Sequence, residues 1–76
     1  MTPKEAADLV EHFLAGSEAY PGEWGDFADG KQLDSRVEYF RKRCDKLSPL
    51  VNRPGEMDAA AVVELRSIIQ ELRTLD

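Results

Sequence analysis

One cysteine, one histidine and one tryptophan make up this chain's whole supply of three residue types that most often build catalytic or metal centres or anchor interfaces. Cys44 has no partner for an internal bridge. A small secreted domain would carry several cysteines, so a reducing, cytoplasmic setting is expected. A metal centre needs three or four ligands at set spacings. His12 has only Asp8 at i−4 beside it, and no second histidine or nearby cysteine exists, so neither metal nor cofactor is expected. His12 falls on the polar side of its helix and reads as a solvated side chain pairing weakly with Asp8.

Other absences narrow the function further. There is no G-x-S-x-G, no glycine-rich phosphate loop and no paired-ligand motif. Cys44 occupies an apolar, heptad-like position away from the only histidine, which suits a small buried residue rather than a nucleophile. The chain therefore reads as no enzyme. No stretch approaches the roughly 18 apolar residues of a membrane span. Lys4, Glu5, Asp8 and Glu11 interrupt the first apolar residues, unlike the core of a signal peptide.

What is present fits one folded domain over residues 1–76. Apolar content is 42% and charged content 33%, ordinary for a globular protein. A core this small supports about 3–5 kcal/mol of stability. The net charge of −5 is unevenly placed. Residues 1–34 carry two bases against eight acids, residues 35–46 five bases against Glu38 and Asp45, and the remainder three bases against five acids. An acidic front and a basic middle bear on partners rather than fold.

Three helices are legible. Thr2, Pro3 and Glu5 form a T-x-x-E capping box with proline at the first helical position. Ala6, Leu9, Val10, Phe13 and Leu14 then trace one apolar face, and Gly16 supplies the stop, predicting a helix over 3–15. The second opens at Asp34 or Ser35, with Ser35 favoured as the cap by its spacing to Glu38. It carries Val37, Phe40, Cys44 and Leu47 inward and ends near Leu47, ahead of Pro49. Glu38 with Lys42 and Arg41 with Asp45 have i,i+4 spacing. The third is capped by Asp58, with Met57 and Val62 spaced as a hydrophobic staple. Ala61, Leu65, Ile68, Leu72 and Leu75 follow at steps of 4-3-4-3, widened by Val62 and Ile69. Between the second and third helices a Pro54-Gly55 turn is expected, with Leu50 and Val51 returning to the core. No segment reads as a strand. The fold class is all-α, a small three-helix bundle with a long aromatic-rich connection between its first two helices.

That connection holds the main functional question. Seventeen residues separate Gly16 from Asp34, and they include Tyr20, Trp24 and Phe27, half of the chain's six aromatics. Connections this long are usually functional or have structure of their own. Trp24 and Phe27, three apart, suit one face of a short helical turn. The rings either close the open end of a thin core or anchor a partner. On the second reading Tyr20, Glu23, Trp24, Asp26 and Phe27 are the candidate contact residues, with Trp24 the anchor and the acids steering a basic protein.

The run Arg41-Lys42-Arg43 raises nucleic acid, but phosphate binding needs a concentrated positive field and this chain is acidic overall, so that partner is not expected. The third helix resembles a short coiled-coil seam, which allows a homodimer through the same stripe.

Two resemblances accompany these residues. Phe13-Leu14-Ala15-Gly16, then Trp24-Gly25-Asp26-Phe27, then Arg41-Lys42-Arg43-Cys44 resemble a group of short bacterial helical proteins without established function, which implies a free-standing bacterial domain. Leu9-Val10-Glu11-His12-Phe13 with Glu18 and Pro21 is similar to a segment of the colicin DNase immunity proteins, small acidic helical inhibitors of basic nucleases. That likeness spans about a dozen residues and lacks the family's Tyr-Tyr-Pro motif. It implies an immunity-type role against a basic toxin.

Overall fold

The computed structural model describes residues 1–47 and 58–75 in full and the backbone of 51–53 and 56–57. Helix α1 runs Pro3–Ala15 as its capping signals require. The Glu5 N–H donates to Thr2 Oγ1 at 3.1 Å, and the Thr2 N–H donates to Glu5 Oε1 at 2.9 Å. Two orphan amides of the first turn are thereby satisfied. Gly16 ends the helix at φ 79°, the left-handed cap a side chain would strain.

The connection is not a plain loop. It folds into a second helix, α2 (Glu23–Asp29), so the described residues contain four helices where three were expected. Gly22 sits at φ 91° and turns the chain into α2. Trp24, Phe27 and Ala28, spaced i, i+3 and i+4, form its buried side. Two acids, one before the helix and one at its first position, act as backbone acceptors. Glu18 takes the Trp24 N–H at 2.7 Å, and Glu23 takes the Ala19 N–H at 3.2 Å.

Helix α3 spans Ser35–Lys46. Its cap is Asp34 rather than Ser35: Asp34 Oδ1 accepts the Arg36 N–H at 2.9 Å, and its carboxylate also holds the Arg36 guanidinium. A carboxylate serving both groups displaces the hydroxyl favoured by spacing alone. Arg41 likewise turns back to Glu38 at i−3, instead of pairing with Asp45 as the i,i+4 spacing suggested. Beyond α3 lie two short antiparallel strands, β1 (Val51–Arg53) and β2 (Glu56–Met57), with Val51 opposite Met57 and Arg53 opposite Glu56. Segments of three and two residues are too short to show the alternation by which strands are recognised. The expected Pro54-Gly55 turn, the return of Leu50 and Val51 to the core and the Met57–Val62 staple fall outside the residues and side chains described.

Helix α4 covers Ala59–Thr74, with Asp58 at its cap position but making no side-chain capping bond. It packs most extensively against α1. One core joins Ala6, Ala7, Leu9, Val10 and Phe13 of α1, Trp24 and Phe27 of α2, Val37, Phe40 and Cys44 of α3, and Leu65, Ile68 and Leu72 of α4. Leu14, Leu47 and Ile69 lie half-buried at its edge. Among the described residues no helix is long and apolar enough to cross a membrane.

Candidate protein-contact surface

The five candidate contact residues divide into two groups. Trp24 is 8% exposed and Phe27 4%. The indole stacks on Phe13 with ring centroids 4.1 Å apart, and Phe27 lies tilted 6.3 Å beyond it. The two rings therefore close the interior between α1 and α2, and Trp24 is not available as an exposed anchor. This follows from helix formation, since an i, i+3 pair on α2 turns inward together.

Tyr20, Glu23 and Asp26 remain at the surface. Tyr20 is 48% exposed and its hydroxyl donates to Asp26 Oδ2 at 3.0 Å. That bond to a carboxylate, reinforced by the neighbouring Glu23 and Glu18, raises the phenol above its usual pKa of 10.0. The ring is thus tethered to α2 through its hydroxyl while about half of the side chain stays in solvent.

Beside it, a shallow groove of about 280 Å³ runs between α1 and the loop entering α2. Met1, Leu9 and Ala19 give it an apolar lining, and Glu5, Asp8, His12 and Glu23 supply polar walls. Glu5 and Asp8 belong to the polar side of the first helix and were not among the candidates. Their spacing with His12 could have flagged them, because positions 5, 8 and 12 share one helical face. Asp8 is shared with α4, accepting from Arg73 at 3.1 Å, so it does not pair with His12 as the i−4 spacing suggested.

The basic run is engaged elsewhere. Arg41 binds Glu38 through both carboxylate oxygens, at 2.7 and 2.8 Å, and also reaches the Ala28 carbonyl of α2. Arg43 binds Glu64 and, at 3.0 Å, Glu71 of α4, while its guanidinium lies over the Tyr39 and Phe40 rings. Two of the three consecutive bases thus have their charge matched within the fold. Among the described residues no group of three or more His, Cys, Asp or Glu is gathered to hold a metal ion.

The chain matches no protein family, no curated protein and no solved structure.

Proposed function

We propose that this chain is a non-catalytic protein-interaction domain, acting in the cytoplasm without cofactor, that binds a basic protein through the acidic surface formed by Tyr20, Glu23 and Asp26 and the adjoining groove. The observation that carries this reading is the half-exposed Tyr20 ring fixed against Asp26 beside the carboxylates of the groove. A pre-positioned ring gives up little conformational freedom on binding, and aromatics rimmed by charge are the usual anchors of such contacts. The surrounding acids raise the on-rate for a basic partner and make it salt-dependent. Matched charges on Arg41 and Arg43 support a protein rather than a nucleic-acid partner.

The test is capture from the native host by immobilised chain, comparing wild type with the double variant Tyr20→Ala, Asp26→Lys. Both residues are exposed, so circular dichroism should show the variant folded. A basic protein retained by wild type and lost by the variant is the expected result. Equal retention by both would remove this surface from the binding role. An immunity-type inhibitor is the case in which that protein is a basic nuclease. It is recognised by inhibition of nuclease activity at stoichiometric chain.

A further inference from the structure

Helix α4 shows solvent a face unlike those of the other long helices. Its apolar seam, Ala61, Leu65, Ile68 and Leu72, is fully buried inside the protomer, so the stripe expected to join two chains is already occupied. The opposite side carries Ala60, Val63, Ser67, Gln70 and Thr74, also at steps of three and four, and all but half-buried Ser67 are exposed. None of the five is charged, although charged residues make up 33% of the chain. By contrast α1 turns Lys4, Glu5 and Glu11 outward, and α3 turns Arg36, Lys42, Asp45 and Lys46 outward. Val63 stands 69% exposed at the centre of this face. Two shallow clefts of about 340 and 490 Å³ border it, sharing Arg66 and half-buried Ile69.

Charge is sorted across the face. On the edge toward α1 stand Arg66 and Arg73, the latter bound to Asp8 and Glu11. On the edge toward α3 stand Glu64 and Glu71, both bound to Arg43. Arg66 is exposed and has no ion-pair partner among the described residues. A helix with one basic and one acidic edge is complementary to a copy of itself running parallel, because each basic edge meets the other's acidic edge. Run antiparallel, like edges meet. In a parallel pair the edge residue contacts the position five further along its partner, which sets Arg66 against Glu71 of a second copy.

We propose that this face of α4 binds the same face of a second copy of the chain, the two helices parallel about a twofold axis, with Arg66 of each against Glu71 of the other. The seam holds one sizeable apolar residue, Val63, so association is weak and reversible, with a dissociation constant on the order of 100 µM. Its Arg66–Glu71 contacts use none of the residues of the acidic surface.

Sedimentation equilibrium from about 10 µM to about 1 mM reads the association directly. Arg66→Glu and Glu71→Lys should each weaken it about tenfold or more, since each places like charges together twice. Mixed in equal amounts, the two variants should associate as wild type does, because both pairs become complementary. Arg66→Glu alters an exposed side chain that takes part in no ion pair among the described residues, so a failure to fold is not its expected effect. Direction is read from oxidised Ala60→Cys and Thr74→Cys chains, each of which should cross-link to itself. A wild-type chain still monomeric at the highest concentration, an Arg66→Glu chain that associates like wild type, or cross-linking only between the two different cysteine variants would overturn the proposal.

Discussion

Trp24 lies flat against Phe13, the ring planes 13° from parallel and their centroids 4.1 Å apart. One ring belongs to α2 and the other to α1, and this stack makes a seven-residue helix part of the core. A helix that short has no stability of its own in water and persists only by tertiary packing. The connection therefore works as an interior wall, leaving Tyr20 and the acids as its outer side.

Removing the indole should be severe. Trp24→Ala is expected to cost about 3–5 kcal/mol, comparable with the whole stability of a domain this small. The variant should be largely unfolded at room temperature by far-ultraviolet circular dichroism, a probe that does not depend on the lost tryptophan. A change in urea-derived stability within about 0.5 kcal/mol would mean that the stack does not hold in solution.

Two glycines three residues apart should respond with opposite sign. Gly22 has φ +91° with open space around it, so Gly22→Ala meets no clash yet forces a side chain into left-handed backbone, costing about 1 kcal/mol. Gly25 lies inside α2, exposed, with nothing near an added Cβ. Gly25→Ala should stabilise by about 0.5–1 kcal/mol by restricting the unfolded chain and favouring helix. Paired urea titrations check both signs, and destabilisation by Gly25→Ala would argue against the helical assignment of this segment.

Acid sensitivity should centre on the junction of α2 and α3. Arg41 holds the Glu38 carboxyl down to about 2 from its usual 4.5, assisted by the Gln32 N–H. Arg36 does the same for Asp34, from 3.8 to about 2. Both folded values lie below the unfolded ones, so their stabilisation is complete above about pH 4.5 and is lost as pH falls toward 2. Glu38→Gln should flatten this acid limb in urea midpoints measured between pH 6 and 3. Arg41→Ala, which also frees the Ala28 carbonyl, should speed amide exchange in α2 more than in α4. An unchanged acid limb in Glu38→Gln would remove the pair from this role.

The helices that the sequence reveals are those whose boundaries and stripes are written in local signals. Thr2, Pro3 and Gly16 frame α1, and the stripe of α4 is buried from Ala61 to Leu72, while Leu75, expected to continue it, is the C-cap and lies exposed. Most of what escaped depends on partners distant in sequence, the cap of α3 being a local exception. Helix α2 is short and contains Gly25, a poor helix former, and it forms because Phe13 of another helix gives Trp24 a surface. The Asp34 cap prevailed over Ser35 because Arg36 engages its carboxylate. At the acidic surface, Tyr20, Glu23 and Asp26 were legible from composition, but the inward turn of Trp24 and Phe27 needed the helix to be known. The contribution of Glu5 and Asp8 to the groove required the packing of α1 beside the loop. The unused outer face of α4 stayed hidden behind the stronger apolar stripe on its opposite side.

Cys44 should be chemically silent while the protein is folded. Burial pushes its thiol up to about 12 from the usual 9.0, an effect that neighbouring Arg43 only partly offsets. At pH 8 a disulfide reagent should therefore label it only through opening of the fold, and labelling should accelerate through the urea transition in step with circular dichroism. Because the folded value lies above the unfolded one, the folded state keeps a proton that the unfolded state releases. Stability should be unaffected by this group below about pH 9 and should fall between about 9 and 12. Cys44→Ala abolishes that alkaline dependence at a cost of about 1 kcal/mol for the small cavity left in α3's buried side. Rapid stoichiometric labelling at pH 8 without denaturant would show instead that the thiol is accessible, and the packing of α3 against the core would need revision.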